Sequence, residues 1–77
     1  MKLKLNLKID PRYRDEVADK VWDWMAQNKR TLNLVTVWVD VDTLYHPDLQ
    51  PEDREALEHF LKLSFMNCKG AVTSAEE

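Results

Sequence analysis

Glycine is nearly absent: Gly70 is the only one in 77 residues. Loops that cradle a phosphate need several glycines so that backbone can approach the anion. Neither a phosphate-binding loop nor a dinucleotide fingerprint is therefore present. Cysteine is equally scarce. Cys68 stands alone, so no internal disulfide can form and no paired-cysteine zinc spacing exists. No apolar run approaches the ~20 residues of a membrane span. Lys2, Lys4 and Lys8 interrupt the N-terminal stretch, which does not read as a secretory leader. These absences point to the cytoplasm, away from membranes, and to no cofactor.

What is present is a pair of alternating stretches with a helical pattern between them. Residues 2–9 read Lys-Leu-Lys-Leu-Asn-Leu-Lys-Ile, and residues 33–42 read Asn-Leu-Val-Thr-Val-Trp-Val-Asp-Val-Asp. Such alternation marks a strand with one buried face and one wet face. Asp10-Pro11 is a helix start, with Asp as N-cap, Pro at the first helical position, and Asp15 and Glu16 soon after. Tyr13, Val17, Ala18, Val21, Trp24 and Met25 share one stripe of this helix, with Trp22 at its edge. The helix is expected to end near Asn28. Residues 43–50 read as a loop. A second helix starts near Pro51, capped by Asp48 or Gln50, with Glu52, Asp53 and Glu55 in its first turns. Its apolar face is Leu57, Phe60, Leu61, Ser64, Phe65 and Cys68, and Leu63 and Met66 extend beyond that face. Residues 70–77 read as a flexible acidic tail.

The order is β-α-β-α, in a single domain over residues 1–69. A strand, a crossover helix and a second strand in one sheet form a right-handed parallel unit. The expected fold is a small two-layer α/β domain, with two helices on one face of a two-stranded parallel sheet. The expected core is Leu3, Leu5, Leu7, Ile9, Val17, Val21, Trp24, Met25, Val35, Val37, Val39, Val41, Leu57, Phe60, Leu61 and Phe65. Two strands make a marginal sheet, so extension by dimerisation is expected. The second strand carries no charge from Thr31 to Val39, which leaves its edge poorly defended. One expected homodimer pairs this edge antiparallel with its mate near Trp38. Its rival is contact through Leu63 and Met66.

The net charge is −3, which disfavours generic nucleic-acid binding. The basic residues concentrate in 1–14 and the acidic ones in 40–58, a split read as internal pairing. Asp40, Asp42, His46 and Asp48 could in principle hold a divalent cation and serve a metal-dependent enzyme. D-x-D is common and the ligand set is incomplete, so they read as a solvated strand end and no metal is assigned. Ser64, Cys68 and His59 assemble no nucleophile with its base, and no enzyme is expected. Trp38 falls on the wet face of its strand, beside Lys4 and Lys8. Either it packs on their stems, or it meets a partner, as exposed Trp often does. The function expected is a non-enzymatic protein-binding module acting as an adaptor, regulator or inhibitor of a larger protein. The expected contact residues are Trp38, Trp22, Leu63, Met66, Lys4 and Lys8. The alternative is a single-strand nucleic-acid binder using the Lys and Arg residues and Trp38.

Overall fold

The computed structural model describes residues 2–68 and 70–74. In chain order the elements are β1 (Lys2–Lys4), β2 (Leu7–Ile9), α1 (Arg14–Gln27), β3 (Trp38–Val39), β4 (Thr43–Tyr45), α2 (Arg54–Ser64) and β5 (Val72–Ser74). Short 3-10 turns, Pro11–Tyr13 and Pro51–Asp53, lead into the helices. Residues 2–9 follow their alternation. Leu3, Leu5, Leu7 and Ile9 are buried, while Lys2, Lys4, Asn6 and Lys8 are exposed. The stretch changes partner midway: β1 joins a sheet of order β1-β4-β3, and β2 pairs with β5. Between them the Asn6 N–H donates to the Glu58 carboxylate of α2 at 2.7 Å.

The sheet is antiparallel, not parallel as the βαβ reading required. β1 and β3 do run the same way, since each lies antiparallel to β4, but β4 stands between them. The cause lies in residues 40–45. The Asp40 N–H donates to the Thr43 carbonyl at 2.8 Å, so Val41-Asp42 closes a hairpin and the chain returns at once. Thr43, Leu44 and Tyr45 suit a strand, but three residues are too few for a period to show. Leu44 is fully buried, opposite Leu3 on one side and Val39 on the other.

Part of the expected tail is also structured. Gly70 adopts a φ of 81°, a left-handed conformation that L-residues resist. The chain turns there, the Ala71 N–H donates to the Cys68 carbonyl at 3.1 Å, and Ala71 is buried. β5 then sets Val72 opposite Ile9 and Ser74 opposite Leu7. The acidic end expected for the tail lies outside the described residues.

Local chemistry sets the helix ends. The Asp10 carboxylate accepts the Arg12 N–H at 2.9 Å with Pro11 in the first turn, as its sequence dictates. The Arg12 guanidinium on that carboxylate holds the Asp10 pKa below its usual range. At the far end Lys29 has a φ of 58°. Its N–H reaches the Ala26 carbonyl and the Arg30 N–H reaches that of Met25, the paired bonds of a Schellman termination. The 3-10 turn that leads into α2 is capped by Gln50, whose N–H donates to the Asp53 carboxylate at 3.0 Å.

One apolar core joins these elements, and it differs from expectation at its margins. Val35 and Val41 are exposed and Phe60 is half-buried, while Leu44, Leu49 and Ala71 are buried. Each fully buried aliphatic is worth about 1.5–3 kcal/mol. Among the described residues, no helix is long and apolar enough to cross a membrane.

Candidate functional site

Residues 32–41 carry most of the large apolar surface that the fold leaves in water. Leu32 is 90% exposed, Leu34 80% and Trp38 61%, with Val35 and Val41 about half exposed. The alternating stretch keeps its phase, because Val37 and Val39 point inward and Trp38 outward. Its first half finds no strand partner. Among the described residues, the backbone of Leu34–Val37 makes no hydrogen bond.

This segment is pinned at both ends. At one end the Asn33 N–H and side-chain amide donate to the two Asp48 carboxylate oxygens, at 2.7 and 2.6 Å. These bonds, the backbone one foremost, hold the Asp48 pKa below its usual range. Just upstream, Arg30 forks onto the buried Asp53 carboxylate, with both contacts at 3.3 Å. At the other end the chain enters β3, where Trp38 lies opposite Tyr45 and Val39 opposite Leu44. Antiparallel pairs alternate between hydrogen-bonded and open. Since Asp40 bonds to Thr43, Trp38 also turns its backbone toward β4. The N–H and C=O groups of Val37 and Val39 then face the free edge.

A furrow separates this edge from α1. Its wider half, about 330 Å³, runs between Arg14, Asp15, Ala18 and Asp19 on the helix and Thr36–Val39 on the edge. A further 240 Å³ or so lies toward Trp22, Leu34 and Val35, sharing Ala18, Asp19, Thr36 and Val37 with the first. α1 therefore runs opposite to the segment, with Arg14 level with Trp38 and Trp22 level with Leu34. The Arg14 guanidinium carbon lies 5.9 Å from the Trp38 ring centroid, a cation–π distance. The Trp22 ring is half-buried and tilted 60° against buried His46, with 5.8 Å between centroids.

The structure gathers Trp38 and Trp22 along one furrow but scatters the other expected contact residues. Lys4 lies on β1 opposite Thr43, and Lys8 on β2 opposite Thr73. β4 separates β1 from Trp38, so the indole stacks on Arg14 and not on the lysine stems. Leu63 and Met66 are exposed on and just beyond α2, at 55% and 70%. Sequence reasoning missed Leu32, Leu34, Asp19 and Tyr45, and joined Arg14 to Trp38 only in the nucleic-acid alternative. The charge-free run from Thr31 to Val39 was the signal for the first two, and β4 hid Tyr45.

The four residues considered for a metal are each engaged separately. Asp40 accepts its neighbour's Val41 N–H, Asp42 the Thr43 hydroxyl, and Asp48 the Asn33 donors. His46 accepts the Asp48 N–H at Nδ1, at 3.0 Å. Among the described residues, no group of three or more His, Cys, Asp or Glu side chains is placed to hold a metal ion. No protein-family model matches the chain, and no curated protein or solved structure shows significant similarity to it.

Proposed function

We propose that this chain is a small, non-enzymatic, cytoplasmic protein-binding module that docks along the free edge of β3, as an adaptor, regulator or inhibitor of a larger protein. One observation carries the reading. A pinned, uncharged segment presents unpaired backbone over Leu34–Val37 beside an apolar furrow. An extended segment added there gains ladder hydrogen bonds, and its alternate side chains enter the furrow toward α1. Trp38 and Leu34 supply the large contact area expected of binding anchors. The cytoplasmic setting fits a lone, partly buried thiol at Cys68.

A photo-crosslinking residue at Thr36, compared in the native cells with the same residue at Glu55 on exposed α2, tests this. Protein adducts from Thr36, absent from Glu55 and lost on Val37→Pro, are expected. Equal labelling from both positions, or none from Thr36, overturns it.

A second reading has one observation in its favour. Lys2, Tyr45 and Trp38 form a cross-strand row on the open sheet face, and adjacent aromatics can stack single-stranded bases. Arg14 already occupies the Trp38 ring, Tyr45 is half-buried, and the chain is net acidic. Oligonucleotide binding that weakens steeply with salt and is lost on Tyr45→Ala would favour this reading over protein docking.

A further inference from the structure

We propose that, until a larger protein takes it, the β3 edge is held by the same edge of a second copy of this chain, an inference that rests on the docking reading. The two edges then pair antiparallel across a two-fold axis, giving the strand order β1-β4-β3-β3′-β4′-β1′.

The edge suits its own image. Residues 34–39 read Leu-Val-Thr-Val-Trp-Val, with no charge, Pro or Gly and mostly β-branched side chains. Edges with such composition lack the usual guards against pairing. The opposite edge of the same sheet is guarded by Lys2 and Lys4 of β1.

The outward groups of Val37 and Val39 fix the phase. An axis at Trp38 lets Val37 of each copy exchange bonds with Val39 of the other. An axis at Val37 pairs Val37 with itself and Val35 with Val39. An axis further along, at Asp40, would set two carboxylates face to face. One further back would draw on Asn33, whose N–H Asp48 already holds. An axis at Val39 would draw on Val41, whose carbonyl already accepts the Ile9 N–H. The axis therefore falls at Val37 or Trp38.

The helix charges choose Val37, since an axis at Trp38 would turn Arg14 toward its own image. Along the furrow α1 places Arg14 level with Trp38 and Asp19 level with Thr36–Val37. A two-fold axis there reverses one helix against the other. It brings the Arg14 end of one copy toward Asp19 of the second copy, twice over. The same operation covers Leu34, Val35 and Trp38, which the single chain leaves in water.

Sedimentation and isotope-filtered NMR on mixed labelled and unlabelled chain test the proposal. Wild type should be a dimer, with cross-copy contacts from residues 34–39 and from Arg14 and Asp19 of α1. Arg14→Glu and Asp19→Arg should each weaken the dimer by tenfold or more, and combining them should restore it. A folded, monomeric wild type overturns self-pairing, as does a dimer whose cross-copy contacts come only from Leu63 and Met66. Failure of the double exchange to restore association also overturns it. If the wild type is monomeric while Thr36 still crosslinks a foreign protein, docking stands and self-pairing falls. If Thr36 crosslinks nothing, both fall.

Discussion

Residues 2–9 and residues 32–41 carry similar aliphatic alternation and meet opposite fates. The first stretch buries all of its aliphatics, because β4 pairs with its front half, β5 with its back half, and the helices cover its inner face. The second buries only Val37 and Val39, and leaves Leu34, Val35 and Val41 in water. Alternation thus specifies which way a side chain points, but not whether anything covers it. Coverage depends on partner strands. Among the described residues the second stretch receives one, β4, along two residues, Trp38 and Val39. The uncovered remainder is where the functional reading rests.

Truncating one leucine in each region should give the largest difference. Leu7→Ala should cost about 2–5 kcal/mol in urea denaturation, as a fully buried side chain leaving a cavity. Leu34→Ala should stay within about 0.5 kcal/mol of wild type in monomer stability, while association weakens. Equal losses at the two sites would show that the second region is covered in the monomer after all.

Trp38→Ala should cost about 2 kcal/mol or more of association free energy with little change in the unfolding of the monomer. Its control is Trp24→Ala, a core truncation worth about 3–5 kcal/mol of stability. Sedimentation and thermal unfolding of the two variants separate the effects.

The two left-handed positions give a smaller contrast. Gly70 delivers β5 to the first region, and Gly70→Ala should destabilise by about 1–2 kcal/mol. A Cβ there meets nothing within 4 Å, so the cost is one of backbone alone. Lys29 closes α1 ahead of the second region, and Lys29→Gly should stabilise by about 0.5–1 kcal/mol as left-handed strain is relieved. Chemical denaturation of each variant reads both signs.

The smallest effect is one of pH. Asp48 has a folded pKa depressed by its Asn33 bonds. Its contribution is therefore fully present above the ordinary carboxylate range and lost as pH falls through the lowered folded value. Acid should loosen the Asn33 anchor before it unfolds residues 2–9, visible as a loss of exchange protection at Asn33 relative to the intrinsic rate at each pH. Asp48→Asn should abolish that pH dependence.

Much of the fold is written locally. Asp10-Pro11 announces α1, the stripe through Val17, Val21, Trp24 and Met25 gives its buried face, and residues 2–9 give a strand by period. The rest depends on contacts distant in sequence. Thr43-Leu44-Tyr45 is too short to show a period and is followed by Pro47, so it resembles a loop. It becomes a strand only because Leu3 and Val39 flank Leu44. That one insertion converts a parallel pair into an antiparallel sheet. Val72–Ser74 follows a glycine and precedes acidic residues, and becomes a strand only against Leu7–Ile9. At the candidate site, Trp38's outward phase and the uncharged run were legible. Asp19 was not, and Arg14 was legible only as a charge for nucleic acid, because only the packing of α1 beside β3 makes them its walls.

On the self-pairing proposal, the outward backbone of Val37 and Val39 awaits a second strand. Amide hydrogen exchange at these two residues, followed from micromolar to millimolar chain, tests it directly. Self-pairing predicts that both amides slow as concentration rises, with the already paired Leu5 amide unchanged. Exchange at Val37 and Val39 that stays equally fast across the whole range would contradict it.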